Sequence, residues 1–339
     1  MTNDEPLISS FGFRHSFDIR YSTFVISLAG FVCIASVAVA NLDKYSSLIV
    51  ADKDSGASAL TDSIRVTYLG VNGFQFENGG HVLLVDPYFT RIGFWGGALN
   101  ERIESNPNRV SDGLRHVRPN IDAILVTHAH FDHLLDVPEI MGRTHARLLA
   151  GPTAIRLVES FGISPNKCDT VKPGNIRKIG PFNVRVLPAQ HDRLFGKIPF
   201  SGQSTSSKPI KASDWAVGEP LAFLIEAAGK RIYIDSGGMP DAPPAVEHVR
   251  HGESVLWRID LAILGVALPD SRKRFAVAVR RLQPRYILPS HQDDMFGPMN
   301  HGFVFGKMTS FPALLNDVRK ENLPGRVILH DYFKPWTVP

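Results

Sequence analysis

The run Thr127-His128-Ala129-His130-Phe131-Asp132-His133 places three histidines and one aspartate within six positions. Imidazole nitrogens and carboxylate oxygens are the donors zinc accepts while a position is kept open for water. The run follows the apolar stretch Ile121 to Val126, so it leaves the end of a buried strand. In an extended or turning segment, His128 and His130 point the same way and can grip one ion together. Asp132 and His133 then project in other directions and can serve a second ion close by. This pattern predicts water activated by metal, with no need for a serine or cysteine nucleophile.

Further donors stand at strand ends downstream. His191 follows Val184 to Leu187 through Pro188-Ala189-Gln190, Asp235 follows Arg231 to Ile234, and His291 follows Tyr286 to Ser290. Asp86 ends the stretch Val82 to Val85. Alone, each of these is more often a satisfied polar group or a turn former than a ligand. Taken together, they resemble the metallo-β-lactamase superfamily, whose His-x-His-x-Asp-His motif is met in full by His128, His130, Asp132 and His133.

That resemblance covers roughly residues 64 to 335 and implies the α/β, four-layer αββα metallo-β-lactamase fold. It implies that His128, His130 and His191 hold one metal ion, that Asp132, His133 and His291 hold another, and that Asp235 bridges them. Asp86 matches an aspartate that supports the site from behind. Two zinc ions are the implied cofactor, and manganese or iron suit comparable donors. The implied reaction is hydrolysis of an ester, lactone or phosphodiester by a hydroxide shared between the ions, with Asp132 orienting it. Pro188 to His191 and the loop containing Trp215 resemble the branch with N-acyl phosphatidylethanolamine phospholipase D and ascorbate-6-phosphate lactonase. Two other readings stay open: a glyoxalase II-like thioesterase, which shares the first motif, and a non-enzymatic membrane-tethered metal-binding protein.

The elements that must position these residues are legible as patterns. Ile64 to Leu69 alternates, and Phe74-Gln75-Phe76 and His81 to Val85 continue it as antiparallel strands around glycine turns. Ile124-Leu125-Val126, Leu261 to Leu264 and Tyr286-Ile287-Leu288 are nearly continuous apolar runs, which suit strands covered on both faces. Helical patterns fall at Thr153 to Phe161, Ser271 to Leu282 and Phe311 to Lys320. Two sheets between two helical layers accommodate both the opening hairpins and the later alternation. The stretch Asp192 to Gly218 carries Phe195, Phe200 and Trp215 without periodicity and reads as a functional loop.

Of 339 residues, 44% are apolar, ample for a large core, and the net charge is only +4 with basic residues scattered. A nucleic-acid footprint is therefore not indicated, and a small-molecule or lipid-like substrate is the expected partner. Arg14 and Arg20 precede the apolar segment Phe24 to Ala40, which ends in Ala38-Val39-Ala40. That order predicts export of the chain, to the periplasm or outside the cell. Residues 1–40 read as a signal peptide or an uncleaved membrane anchor, with membrane association through residues 22–40. Residues 41–63 read as a linker, and residues 64–339 as the catalytic domain. Cys33 and Cys168 give no disulfide framework. His81, His116, His145, His248, His251 and His330 are expected at surface or capping positions, while His301, close after His291, is a candidate to line the pocket.

Overall fold

The computed structural model describes residues 42–53, 61–194, 196–204, 208–237, 259–268, 271–306 and 311–339. The leader, His248 and His251 lie outside the described residues. Among those described, no helix is long and apolar enough to cross a membrane.

In chain order the strands are β1 (Arg65–Gly70), β2 (Gly73–Asn78), β3 (His81–Val85), β4 (Ile121–Leu125), β5 (Arg147–Ala150), β6 (Cys168–Thr170) and β7 (Ile176–Ile179). They continue with β8 (Phe182–Pro188), β9 (Leu221–Ala227), β10 (Lys230–Ile234), β11 (Leu261–Gly265), β12 (Tyr286–Ser290), β13 (Arg326–Val327) and β14 (Pro335–Thr337). The helices are α1 (Phe94–Ala98), α2 (Pro107–Leu114), α3 (Phe131–Leu134), α4 (Val137–Arg143), α5 (Pro152–Glu159), α6 (Ser271–Leu282) and α7 (Phe311–Lys320).

The strands form two seven-stranded sheets, ordered β14-β1-β2-β3-β4-β5-β6 and β13-β12-β11-β10-β9-β8-β7. Each begins as an antiparallel meander and turns parallel: β3 to β4 in the first sheet, β10 to β11 in the second. The parallel strands end at the same edge of their sheet, and Asp86 and Asp235 each follow the last meander strand. The fold is the four-layer metallo-β-lactamase sandwich, as its sheets and helices show.

Period-two alternation explains why the first sheet reads as nearly unbroken apolar sequence. Leu83, Val85, Ala123 and Leu125 join the core that the second sheet shares, through Val184, Phe223, Ile232 and Ile263. Val82, Leu84, Ile124 and Val126 face the other way, against Val110 of α2, Ile140 of α4 and Leu157 of α5. A strand covered on both faces has no polar side to display. Burying each of the Val, Leu, Ile and Phe side chains stabilises the fold by about 1.5–3 kcal/mol.

Residues 42–53 do not behave as the linker expected of 41–63. Leu42–Leu48 forms a 3-10 turn, and Val50 N donates to Leu329 O at 3.0 Å while Leu329 N donates to Leu48 O at 2.8 Å. Asp52 accepts from Thr337 N at 2.9 Å and pairs with Arg65 at 3.0 Å. Backbone pairing, the Asp52 carboxylate and the packing of Leu42, Tyr45, Leu48 and Ile49 on the core hold this segment, without a periodic mark in sequence. His330 also departs from expectation: it is buried beside this segment, edge-on to Trp336, rather than at the surface.

Candidate metal centre

Thr127, two residues past the end of β4, fixes the start of the histidine run. Its N–H donates to Asp86 Oδ1 at 2.8 Å and its hydroxyl to Asp86 Oδ2 at 2.5 Å. The chain stays extended through His130, with φ −63° and ψ 154°, and then enters the short helix α3. That change of backbone splits the donors. His128 and His130 leave the extended part, with His128 Nε2 3.0 Å from His130 Nδ1, and Asp132 and His133 leave the helix.

Two groups of three result. Potential ligand atoms of His128, His130 and His191 all lie within 4.8 Å of one another, as do those of Asp132, His133 and His291. The groups abut, with the rings of His128 and His133 centred 4.0 Å apart. Asp132 Oδ2 lies 3.0 Å from His291 Nε2 and 3.3 Å from His133 Nε2. Asp235 belongs to neither group. It is buried at the end of β10 and accepts from Gly265 N at 3.1 Å, and its neighbour Ser236 places its hydroxyl 3.4 Å from His133 Nε2. His301 is exposed in the turn Met299–His301 and joins neither group.

The far nitrogens of three imidazoles are held by outer partners. His130 Nε2 is 3.0 Å from Pro199 O, His191 Nδ1 is 2.8 Å from Asp192 O, and His133 Nδ1 is 2.9 Å from Asp86 Oδ2. Such partners set ring orientation and leave the opposite nitrogen for an ion. His291 has a left-handed backbone, φ 59°, and its N–H donates to Val71 O at 2.7 Å. Asp86 is also left-handed, φ 42°. Non-glycine residues persist there only when their surroundings over-determine them.

The electrostatics fit a cation. Burial, and then the neighbouring imidazoles, hold His128 well below its ordinary value. Burial brings His130 down to about 3 and His191 to about 4, so all three carry free lone pairs at neutral pH. Burial would also raise Asp132, but the adjacent His133 outweighs it and keeps this carboxyl ionised. Burial opposes the charge on His133 too, yet Asp132 and Asp86 push it up to about 10. The neutral imidazoles of His128, His130 and His191 are in the protonation state a divalent ion requires, whereas His133, charged in the ion-free site, would have to give up its Nε2 proton to ligate one.

Several supporting residues escaped the sequence reading. Asp136 accepts from Phe89 N at 2.6 Å, Thr90 N at 2.7 Å and Ser105 Oγ at 2.6 Å, and also from the Thr90 hydroxyl. Its isolation in the apolar run Leu134 to Val137 was the available signal, since a buried charge must be paired. Asp293 accepts from Tyr68 Oη at 2.8 Å, Val71 N at 2.9 Å, Arg91 Nη2 at 2.8 Å and Tyr332 Oη at 2.6 Å. Nothing local marks that set, whose members come from four distant segments.

A family model described as "Beta-lactamase superfamily domain" matches residues 65–291, from β1 to the last histidine of the site. A UPF0173 metal-dependent hydrolase of Polynucleobacter asymbioticus is 25% identical over 269 residues, 76% of this chain and 83% of its own. One from Rubrobacter xylanophilus is 28% identical over 231 residues, 67% of this chain and 81% of its own. Among solved structures, Igni18, a metallo hydrolase from Ignicoccus hospitalis, matches with TM-score 0.54 at 18% identity, covering 82% of this chain and 99% of its own. That last likeness speaks for the fold.

Proposed function

The chain belongs to the beta-lactamase superfamily, and from that premise we propose that it is a metal-dependent hydrolase acting on an ester, lactone or phosphodiester. The observation that carries the reading is the pair of abutting three-residue groups at the edge between the sheets. Relatives named metal-dependent hydrolases support it.

In this reading His128, His130 and His191 would hold one ion, Asp132, His133 and His291 would hold a second, and Asp235 would bridge. Five imidazoles against one carboxylate in the two groups favour zinc. Two such ions, when bound, lower the pKa of a shared water toward neutrality and stabilise developing negative charge on substrate. Asp132, kept ionised by His133, orients the attacking water by accepting its hydrogen bond. Asp86 holds His133 in place throughout, and Pro199 O does the same for His130. Phe200 stands 6.2 Å from the His130 ring and supports a substrate with an apolar part. The basic, apolar and small-residue order of residues 14–40 supports delivery of the domain across a membrane.

The test is hydrolysis of p-nitrophenyl esters, bis(p-nitrophenyl) phosphate, lactones and thioesters by the purified chain, before and after chelation and after zinc is restored. The expected result is activity on an oxygen ester or phosphodiester that chelation abolishes and zinc recovers. Activity indifferent to chelation, or confined to thioesters, would defeat the proposal.

A further inference from the structure

The site gathers ligands from loops of several strands, and two of these loops lie directly against each other. The His191 turn leaves β8 and the Asp235 turn leaves β10. A Cβ built on Gly237 would fall 2.6 Å from Gln190 O and 2.9 Å from His191 Cα, so Gly237 packs flat against the His191 backbone. A Cβ on Gly265 would fall 2.1 Å from Ser236 O, so the end of β11 closes on the same segment. Glycine at both contacts permits the approach, but contact alone does not fix how one turn sits on the other.

The first turns of α6 supply that constraint. Arg274 Nη1 donates to His191 O at 3.1 Å, lies 3.4 Å from Gly237 O, and lies 3.4 Å from Asp192 Oδ1. The guanidinium is 14% exposed and the Asp192 carboxylate 2% exposed, so the contact is shielded from water. The hydroxyl of Ser271, one turn earlier on α6, donates to the other oxygen of Asp192. Asp192 in turn offers its backbone carbonyl to His191 Nδ1 at 2.8 Å. The chain of contacts therefore runs from α6 through Asp192 to the imidazole itself, and from the same guanidinium to the carbonyl two residues beyond Asp235.

We propose that Arg274 is a positioning residue that clamps the His191 turn to the Asp235 turn and so sets the affinity of the ion site formed by His128, His130 and His191. The inference rests on the metal-centre reading above. A planar guanidinium reaches several acceptors in fixed directions, whereas an ammonium reaches them as a single point. Arg274 touches the His191 residue directly but meets the Asp235 segment only at Gly237, so the effect falls mainly on the site containing His191.

The experiment is zinc titration of the stripped full-length chain against a chromophoric chelator. His191→Ala and His291→Ala identify which binding step belongs to which group. In Arg274→Ala the step belonging to His128, His130 and His191 weakens by roughly 10–100-fold, the usual consequence of removing an outer partner of a ligand. The step belonging to Asp132, His133 and His291 changes much less. Arg274→Lys, which keeps the charge, recovers part of the loss, and it carries the same comparison should the alanine variant not fold. Equal weakening of both steps, as general loosening would give, or no weakening of either, overturns the inference. A wild-type chain that takes up no zinc overturns the metal-centre reading itself, and the inference with it.

Discussion

Nδ1 of His133 lies 2.9 Å from Oδ2 of Asp86, and neither side chain reaches solvent. The same carboxylate takes Asn72 Nδ2 at 2.8 Å and both the N–H and hydroxyl of Thr127. One aspartate thus fixes where the histidine run begins and how its last imidazole is turned. Asp86→Ala should weaken zinc binding at the Asp132, His133 and His291 group by roughly 10–100-fold, because His133 loses its orienting partner. Chelator competition reads this, and an unchanged affinity would show that His133 is oriented by other means.

The ion pair Arg91–Asp293, at 2.8 Å and fully buried, explains the glycine at position 70. A Cβ on Gly70, where φ is +92°, would lie 1.8 Å from Arg91 Nη2. Gly70→Ala must therefore push the guanidinium off Asp293 as well as strain the backbone. Backbone strain of this kind costs about 1–3 kcal/mol, and displacing the guanidinium adds to it, so a loss of at least that order is expected in chemical denaturation. A loss below about 1 kcal/mol would mean that Arg91 finds an equivalent seat.

His330 gives a pH dependence separate from the metal centre. Burial brings its pKa from 6.5 down to about 3, with Asp52 opposing, and both ring nitrogens lack a hydrogen-bond partner among the described residues. The folded chain therefore refuses a proton that the unfolded chain accepts. This contribution to stability is complete above pH 6.5 and is lost as pH falls toward 3. Over that window wild type should lose stability more steeply than His330→Leu by up to one proton, about 1.4 kcal/mol per pH unit. Parallel curves for the two proteins would contradict the assignment.

What could be read from sequence follows from what burial does to composition. Strands such as β3, β4 and β11 are covered on both faces and so announce themselves as apolar runs, and the donors at their ends could be counted off in order. The histidine run is dense because one strand end supplies most of two groups. Residues 42–53 were illegible because their core-packing side chains, such as Leu42, Tyr45 and Ile49, fall at no regular period, and backbone hydrogen bonds and the Asp52 carboxylate complete their attachment. Asp293 and Arg91 are 202 positions apart and Arg274 and Asp192 are 82 apart, so their pairing exists only once the sheets are assembled. His330 misled for a related reason: a histidine packed against Trp336 without hydrogen bonds looks in sequence like any surface imidazole.

Two groups of side chains, drawn from strand ends of both sheets, should each hold a metal ion. Anomalous scattering at the zinc absorption edge, from crystals of the full chain grown with zinc, locates the ions. Two peaks are expected, one among His128, His130 and His191 and the other among Asp132, His133 and His291, with Asp235 turned toward both. Absence of any peak there, or zinc bound only at surface histidines such as His81 or His116, would contradict it.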